Sequence, residues 1–309
     1  MDTIELHPTR CAICDTPDNA VEMYPANFNP EAFNAAIFSA RRLPDRIHYR
    51  IVRCRTCGLV RSDPVADSSL LTRLYAQSTF DYGEEITSLQ RTYGRYLAKL
   101  RAYGGHRESL LEIGCGNGFL LEEALRQGYA RVQGVEPSAD AVARANPLVH
   151  PHIVCDIMRG GLFEPQQFDV ICLFQVFDHI SDPVALLQEC FTVLKPGGLL
   201  LCLNHNVEAI SARLLKERSP IIDLEHTYLY SPTTMARIVA AHGFEVQRVA
   251  PVWNSYTLYY LTRLVPLPNR LKSRVLTILN RTRLGRVRLS VPLGNMYLVA
   301  RKPHPAAAE

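Results

Sequence analysis

The stretch LLEIGCGNG, Leu110 to Gly118, runs from an apolar segment through an acid into three glycines at alternate positions. Leu110, Leu111 and Ile113 read as the end of a buried strand. From Asn117 the pattern turns helical, with Phe119, Leu120, Ala124 and Leu125 on one face. Strand, glycine turn and helix in that order form a crevice where backbone approaches a ligand closely, because glycine has no side chain and tolerates positive φ. A nucleotide-like ligand is the usual occupant of such a crevice.

The spacing separates two such ligands. The dinucleotide fingerprint is G-x-G-x-x-G, with the pyrophosphate on the helix N-terminus. Here the glycines are Gly114, Gly116 and Gly118, and Phe119 stands where that fingerprint needs its third glycine. Glu112 precedes the turn by two residues, and a carboxylate there repels a pyrophosphate. S-Adenosylmethionine (SAM) carries an ammonium and a sulfonium and no phosphate, so the charge favours it over NAD.

The chain has 309 residues and 47% hydrophobic content, enough for one large α/β domain and a smaller unit. No apolar run reaches the ~18–20 residues of a membrane span. The opening MDTIELHPTR has no signal-peptide core. A cytoplasmic, reducing location is therefore expected, where thiols stay free or bind metal. Among the nine cysteines, Cys11 with Cys14 and Cys54 with Cys57 form two C-x-x-C pairs. Cys115, Cys155, Cys172, Cys190 and Cys202 stand singly among apolar residues and read as small buried hydrophobes. Charge is uneven: residues 246–308 hold eleven Lys or Arg and no acid, whereas residues 1–245 hold 23 basic and 29 acidic residues.

Residues 1–66 carry both cysteine pairs and little periodicity, and read as a metal-organised module. Residues 67–108 read as a helical connector, with tyrosines at 75, 82, 93, 96 and 103. From 109 to 309 strands and helices alternate, which predicts a parallel sheet with crossover helices. The predicted strands are 109–113, 131–136, 151–155, 168–174 and 198–203, with helices at about 117–127, 138–146 and 182–194. KPGG, Lys195 to Gly198, reads as a helix stop. A helix over 231–242, a strand over 244–250 and the closing strand NMYLVARK follow.

Glu136 ends the second strand, VQGVEP, 22 residues after Gly114. That is close to the ~20 residues expected for an acid that accepts hydrogen bonds from both ribose hydroxyls. Asp156 ends the third strand, and FDVICLF of the fourth runs into QVFDHI. These groups fall at strand C-termini, where open α/β sheets bind ligands. Residues 88–203 resemble the class I SAM-dependent methyltransferase core. LLEIGCGNG resembles its first motif, VQGVEPS its ribose-binding acid, and CDI its adenine-side acid. FDVICLFQVFDHISDP resembles its fourth strand and loop, and VLKPGGLLL the approach to its fifth strand. The resemblance implies an α/β fold with a Rossmann-like seven-stranded sheet. It also implies that Glu112, Gly114, Cys115 and Gly116 hold the methionine part of SAM, Glu136 and Pro137 the ribose, and Asp156 and Ile157 the adenine. Gln175 and His179 would line the cleft. The family loop commonly reads Glu-His and here reads Asp178-His179, so His179 stands between a cleft role and a helix-capping contact.

Two C-x2-C pairs separated by 39 residues supply four thiolates, the donor set of a tetrahedral structural zinc site. Gly58, directly after Cys57, permits the tight turn of a zinc knuckle. The arrangement resembles the N-terminal zinc-binding domain ahead of some bacterial methyltransferases, including sugar C-methyltransferases. CRTCGLVRSDPV followed by YAQSTFDYGEE carries that resemblance.

Beyond the fifth strand, Glu225 and His226 precede a helix with Ser231 as its cap and Pro232 in its first turn. A histidine beside a carboxylate is a candidate general base, with an ordinary pKa of ~6.5, and the sugar C-methyltransferases carry a Glu-His pair in a comparable place. Tyr82 and Tyr228 are further candidates to face substrate. The segment at about 252–293 reads as one or two amphipathic helices with a basic face. That face suits solvent, an acidic substrate, peripheral contact with an anionic membrane, or RNA.

Three functions remain. The first is SAM-dependent C- or O-methylation of a small or carrier-linked metabolite, a sugar among the candidates. The second is RNA methylation, against which stands the absence of [DN]-P-P-[YF] after strand four and of a Pro-Cys motif. The third is a non-catalytic SAM-binding or zinc scaffold, against which stands the intact first motif. The sequence leaves the oligomeric state open.

Overall fold

The computed structural model describes residues 4–27, 46–77, 86–264 and 268–305. Its centre is a seven-stranded sheet of β1 (Ser109–Ile113), β2 (Arg131–Val135), β3 (Ile153–Val154), β4 (Phe168–Phe174), β5 (Leu194–His205), β6 (Glu245–Pro251) and β7 (Asn295–Arg301). Their order across the sheet is β6-β7-β5-β4-β1-β2-β3. β7 runs antiparallel to both its neighbours. The other pairings are parallel. Chain direction across the sheet reverses between β1 and β4, which places the ligand crevice there.

Burial explains the central strands. Every residue of β1 and of β4 is buried, as a parallel sheet covered on both faces requires. The two-residue period then sorts side chains by layer. Leu111, Ile113, Ile171 and Leu173 pack with the helices Pro183–Val193 and Pro232–Ala241 and with Cys11, Cys54 and Cys57. Leu110, Val170 and Cys172 pack on the opposite side with the helices Ile86–Lys99 and Phe119–Arg126. Local chemistry starts the helices where the sequence marks them. The Asp182 carboxylate accepts from Ala185 N–H at 3.0 Å, and Ser231 and Thr234 form a reciprocal capping box.

Several predicted elements change shape. β3 is only Ile153–Val154, because a 3-10 turn over His150–His152 takes the preceding residues. β5 already begins at Leu194, and its register with β4 shifts between Leu194 and Leu199, so KPGG bulges out of a continuous strand. The connector holds two helices, Ser68–Ala76 and Ile86–Lys99. In the basic segment, Asn254–Thr257 pairs antiparallel with Arg288–Val291. Between them lie the helices Leu258–Leu264 and Asn269–Arg281.

The cysteine-bearing segment builds a separate four-stranded sheet, in the order Tyr228–Leu229, Val60–Ser62, Ile51–Cys54, Ala20–Tyr24. Its edge strand Tyr228–Leu229 comes from the loop beyond β5, so the module and the loop bearing His226 are one construction. Ser62 N–H donates to Thr227 C=O at 2.9 Å, and Ser62 Oγ donates to His226 C=O at 2.9 Å. No helix among the described residues is long and apolar enough to cross a membrane.

Candidate active site

The glycine turn leaves β1 at the reversal point. Gly114, Gly116 and Gly118 all have positive φ. At Gly114, with φ +70°, a Cβ would lie 2.4 Å from Val176 Cγ2, so both the backbone conformation and the packing require glycine. The Glu136 carboxylate is buried at the end of β2 and ties this turn to the next strand. It accepts from Gly116 N–H at 2.8 Å and from Ser138 N–H at 2.9 Å. Burial raises its pKa, and the two N–H groups oppose that rise. Glu112 is 2% exposed. Burial, and then the charge of Glu136, hold its carboxyl well above the usual range.

Unpaired polar atoms collect around this turn. Glu112 Oε2, Asn117 Oδ1 and Gln175 Oε1 are buried without a hydrogen-bond partner among the described residues, and a bound ligand is one way such groups are satisfied. Gln175 follows β4 at φ +57°, an uncommon conformation for a residue with a side chain. Two buried acids beside the glycine turn fit a cation-bearing ligand, and SAM carries such charges. The Cys115 thiol packs in the core over Gly134. The Asp156 carboxylate sits on Arg159 at 2.8 Å and accepts from Ile157 N–H at 2.8 Å. Ile157 is exposed, and Pro137 is half-buried beside Glu136.

A second cluster lies at the ends of β4 and β5. Asp178 is fully buried, and its Oδ2 lies 2.7 Å from His205 Nδ1. His226 Nδ1 makes an ion-pair contact of 2.7 Å with Asp223 Oδ1. The His226 ring lies between those of His179, 4.5 Å away, and His205, 4.9 Å away. His179 Nδ1 meets Tyr75 Oη at 3.0 Å. Burial opposes charge on His226, but Asp223 and Asp178 overcome it and bring its pKa to about 9. Burial and the charge of His226 push His179 down to about 4. Burial of Asp223 is outweighed by His226, which draws it down to about 2.

Beside the expected pair Glu225–His226, the carboxylate in ion-pair contact with the ring is that of Asp223, three residues upstream, and the charge of Glu225 adds to its effect. The ring's ordinary pKa is corrected. His179 stands inside the cluster, and Tyr228 Oη turns away to donate to Arg10 C=O at 3.0 Å. Tyr82 lies outside the described residues. His205 and Asp223 were not singled out by sequence reasoning, and Tyr75 and Asp178 were noted there without a role in the site. Nor was Asn204, which is buried and whose side-chain polar atoms have no hydrogen-bond partner among the described residues. A polar residue at the end of an apolar strand was the signal available for Asn204.

The four knuckle sulfurs lie within 4.8 Å of one another. Four sulfurs each about 2.3 Å from a tetrahedral zinc sit about 3.8 Å apart, so the residues fit that ion. The two knuckles share one backbone pattern. Asp15 N–H donates to Cys11 C=O at 2.7 Å and Gly58 N–H to Cys54 C=O at 3.0 Å, and both Asp15 and Gly58 have positive φ. Burial pushes the Cys14 and Cys57 thiols up, while the N–H groups of Cys57 and Thr56 draw the Cys54 thiol down.

The family described as "Methyltransferase domain" matches residues 86–249. The chain is 34% identical over 131 residues to a ubiquinone biosynthesis O-methyltransferase of Bradyrhizobium sp. (strain ORS 278), covering 40% of this chain and 51% of that protein. It is 26% identical over 151 residues to the protein of the same name from Neisseria meningitidis serogroup C (strain 053442), covering 44% and 63%. The chain thus spans about half the length of the curated relatives it matches. A solved SAM-dependent methyltransferase from Archaeoglobus fulgidus superposes with a TM-score of 0.48 at 17% identity, covering 76% of this chain and 100% of that one.

Proposed function

The chain belongs to the methyltransferase-domain family, and from that premise we propose that it transfers the methyl group of SAM to a hydroxyl of a small or carrier-linked acceptor. The observation that supports this most is the pair of buried acids at the glycine turn: Glu112 with an unpaired oxygen, and Glu136 fixed by two backbone N–H groups. SAM supplies an electrophilic methyl on a sulfonium. Glu136 offers its remaining lone pairs to the ribose diol, and Glu112 and Gln175 meet the methionine end. Asp178, His179 and His226 orient the acceptor hydroxyl. An oxygen acceptor is favoured over carbon because the curated relatives carry the name O-methyltransferase.

The basic arm bears on the acceptor class. Leu271, Ile278, Leu284, Val287 and Leu289 are exposed beside its arginines. That mixture suits an anionic or lipid-carried acceptor and peripheral contact with an anionic membrane.

The test uses the full chain with SAM labelled in the methyl group and a cell extract divided into small-molecule, lipid, RNA and protein fractions. Label in the small-molecule or lipid fraction is the expected result. Label confined to RNA or protein, or no conversion of SAM in any fraction, overturns the reading.

A further inference from the structure

We propose that Asp178, His179 and His226 hold one divalent first-row transition-metal ion in the acceptor cleft, distinct from the four-cysteine site. One ligand atom from each of the three lies within 4.8 Å of the others. His226 Nε2 is 3.8 Å from Asp178 Oδ2, and His179 Nε2 is 3.7 Å from Asp178 Oδ1. These separations exceed the ~2.7–3.2 Å of a hydrogen bond. They are only slightly wider than the roughly 3.0–3.6 Å between donors that share an ion at about 2.0–2.2 Å. Asp178 Oδ1 and His226 Nε2 are buried and have no hydrogen-bond partner among the described residues. Asp178 is 0% and His226 4% exposed.

The surrounding groups hold these ligands as metal ligands are commonly held. A metal-bound histidine usually has its second ring nitrogen fixed by a carboxylate or another polar group. His226 Nδ1 lies at ion-pair distance, 2.7 Å, from Asp223 but outside hydrogen-bond geometry, and His179 Nδ1 meets Tyr75 Oη at 3.0 Å. His205 Nδ1, 2.7 Å from Asp178 Oδ2, pins the carboxylate. Two imidazoles and one carboxylate form a facial donor set that leaves coordination positions open. The set is too rich in nitrogen for magnesium or calcium, which take oxygen ligands, and it suits zinc or ferrous iron.

The ion's part in catalysis rests on the function proposed above; its binding does not. At an open position it would take the acceptor hydroxyl and lower that group's pKa. The O–H proton leaves to water, the O–CH3 bond forms as the S–CH3 bond breaks, and SAM departs as S-adenosylhomocysteine. No oxidant or reductant is needed.

The test is a titration of the chelator-treated full chain with Co2+ and, separately, with Zn2+. It is read by metal content and visible absorption. Two ions per chain are expected. One gives the intense sulfur-to-cobalt band of the cysteine site, and the other gives weak bands without that charge-transfer band. Asp178→Asn and His179→Gln should each remove the second ion and keep the first, and Asp223→Asn should weaken it about 10–100-fold. One ion at saturating Co2+ and Zn2+, or a second ion that persists in His179→Gln, overturns the proposal. If Asp178→Asn does not fold, His179→Gln decides, since its ring is the more exposed. SAM affinity measured on the same samples separates the two readings. SAM bound with the second ion absent sinks the metal site alone, whereas no SAM binding sinks the proposed function.

Discussion

Glu136→Gln is the most informative single change at the cofactor crevice. The side chain keeps its size, so packing around its 7% exposed surface is preserved. Its chemistry is not. Each carboxylate oxygen now accepts one backbone N–H, from Gly116 at 2.8 Å and Ser138 at 2.9 Å. An amide can serve only one of the two, and it turns an NH2 toward the other N–H. It also loses the charge that would receive the ribose hydroxyls. Hydrogen bonds to a charged group are worth about 1.5–3 kcal/mol, and each 1.4 kcal/mol is about tenfold in affinity. SAM affinity should therefore fall by about one to two decades. The displaced Gly116 N–H adds a loss of stability of about 1–3 kcal/mol, visible as a lower Tm. Calorimetry with SAM, paired with thermal unfolding, reads both effects. SAM affinity within twofold of the parent chain, at an unchanged Tm, would refute the ribose role of Glu136.

Other outcomes follow from the same contacts. In Gly114→Ala the new Cβ meets Val176 Cγ2 at 2.4 Å and sits at φ +70°. The left-handed backbone alone costs about 1–2 kcal/mol, so SAM binding should be lost and Tm lowered. Val176→Ala added to it should restore part of the Tm; no restoration would place the damage elsewhere. SAM affinity should rise with pH, because burial holds Glu112 and Glu136 toward their protonated forms and a cationic ligand prefers carboxylates. Calorimetry in buffers of different ionisation enthalpy should detect proton release on binding, and proton uptake would reverse the assignment. Elemental analysis should find zinc at the cysteine site, lost in Cys11→Ser/Cys54→Ser. Because Tyr228–Leu229 pairs with Val60 and Arg61, that variant should also loosen the loop bearing His226, read as faster hydrogen exchange at Thr227 and Tyr228.

Sequence was most informative where one face or both faces of an element are buried. The apolar runs of β1 and β4 match their observed limits, since strands buried on both sides are continuously apolar. The two cysteine pairs and the glycine turn were legible because their spacing follows from local backbone geometry. β3 was overextended, because Pro151 and a 3-10 turn consume residues that read as strand. The hairpin of Asn254–Thr257 with Arg288–Val291 lacks a clean alternation, and Tyr228–Leu229 is too short to announce its partner. The cluster around Asp178 was the least legible part. Its acid for His226 was sought in the adjacent Glu225, whereas a loop turn brings up Asp223. His205 reaches Asp178 only because β5 pairs with β4 in a register that sets Leu203 opposite Phe174. Such contacts between distant positions leave no local pattern.

The central claim is that the crevice between β1 and β4 takes SAM. Calorimetric titration of the full chain with SAM, S-adenosylhomocysteine and NADH tests it most directly. The account predicts one SAM and one S-adenosylhomocysteine site per chain, competing with each other, and no binding of NADH. NADH bound at that stoichiometry with no heat from SAM would contradict it.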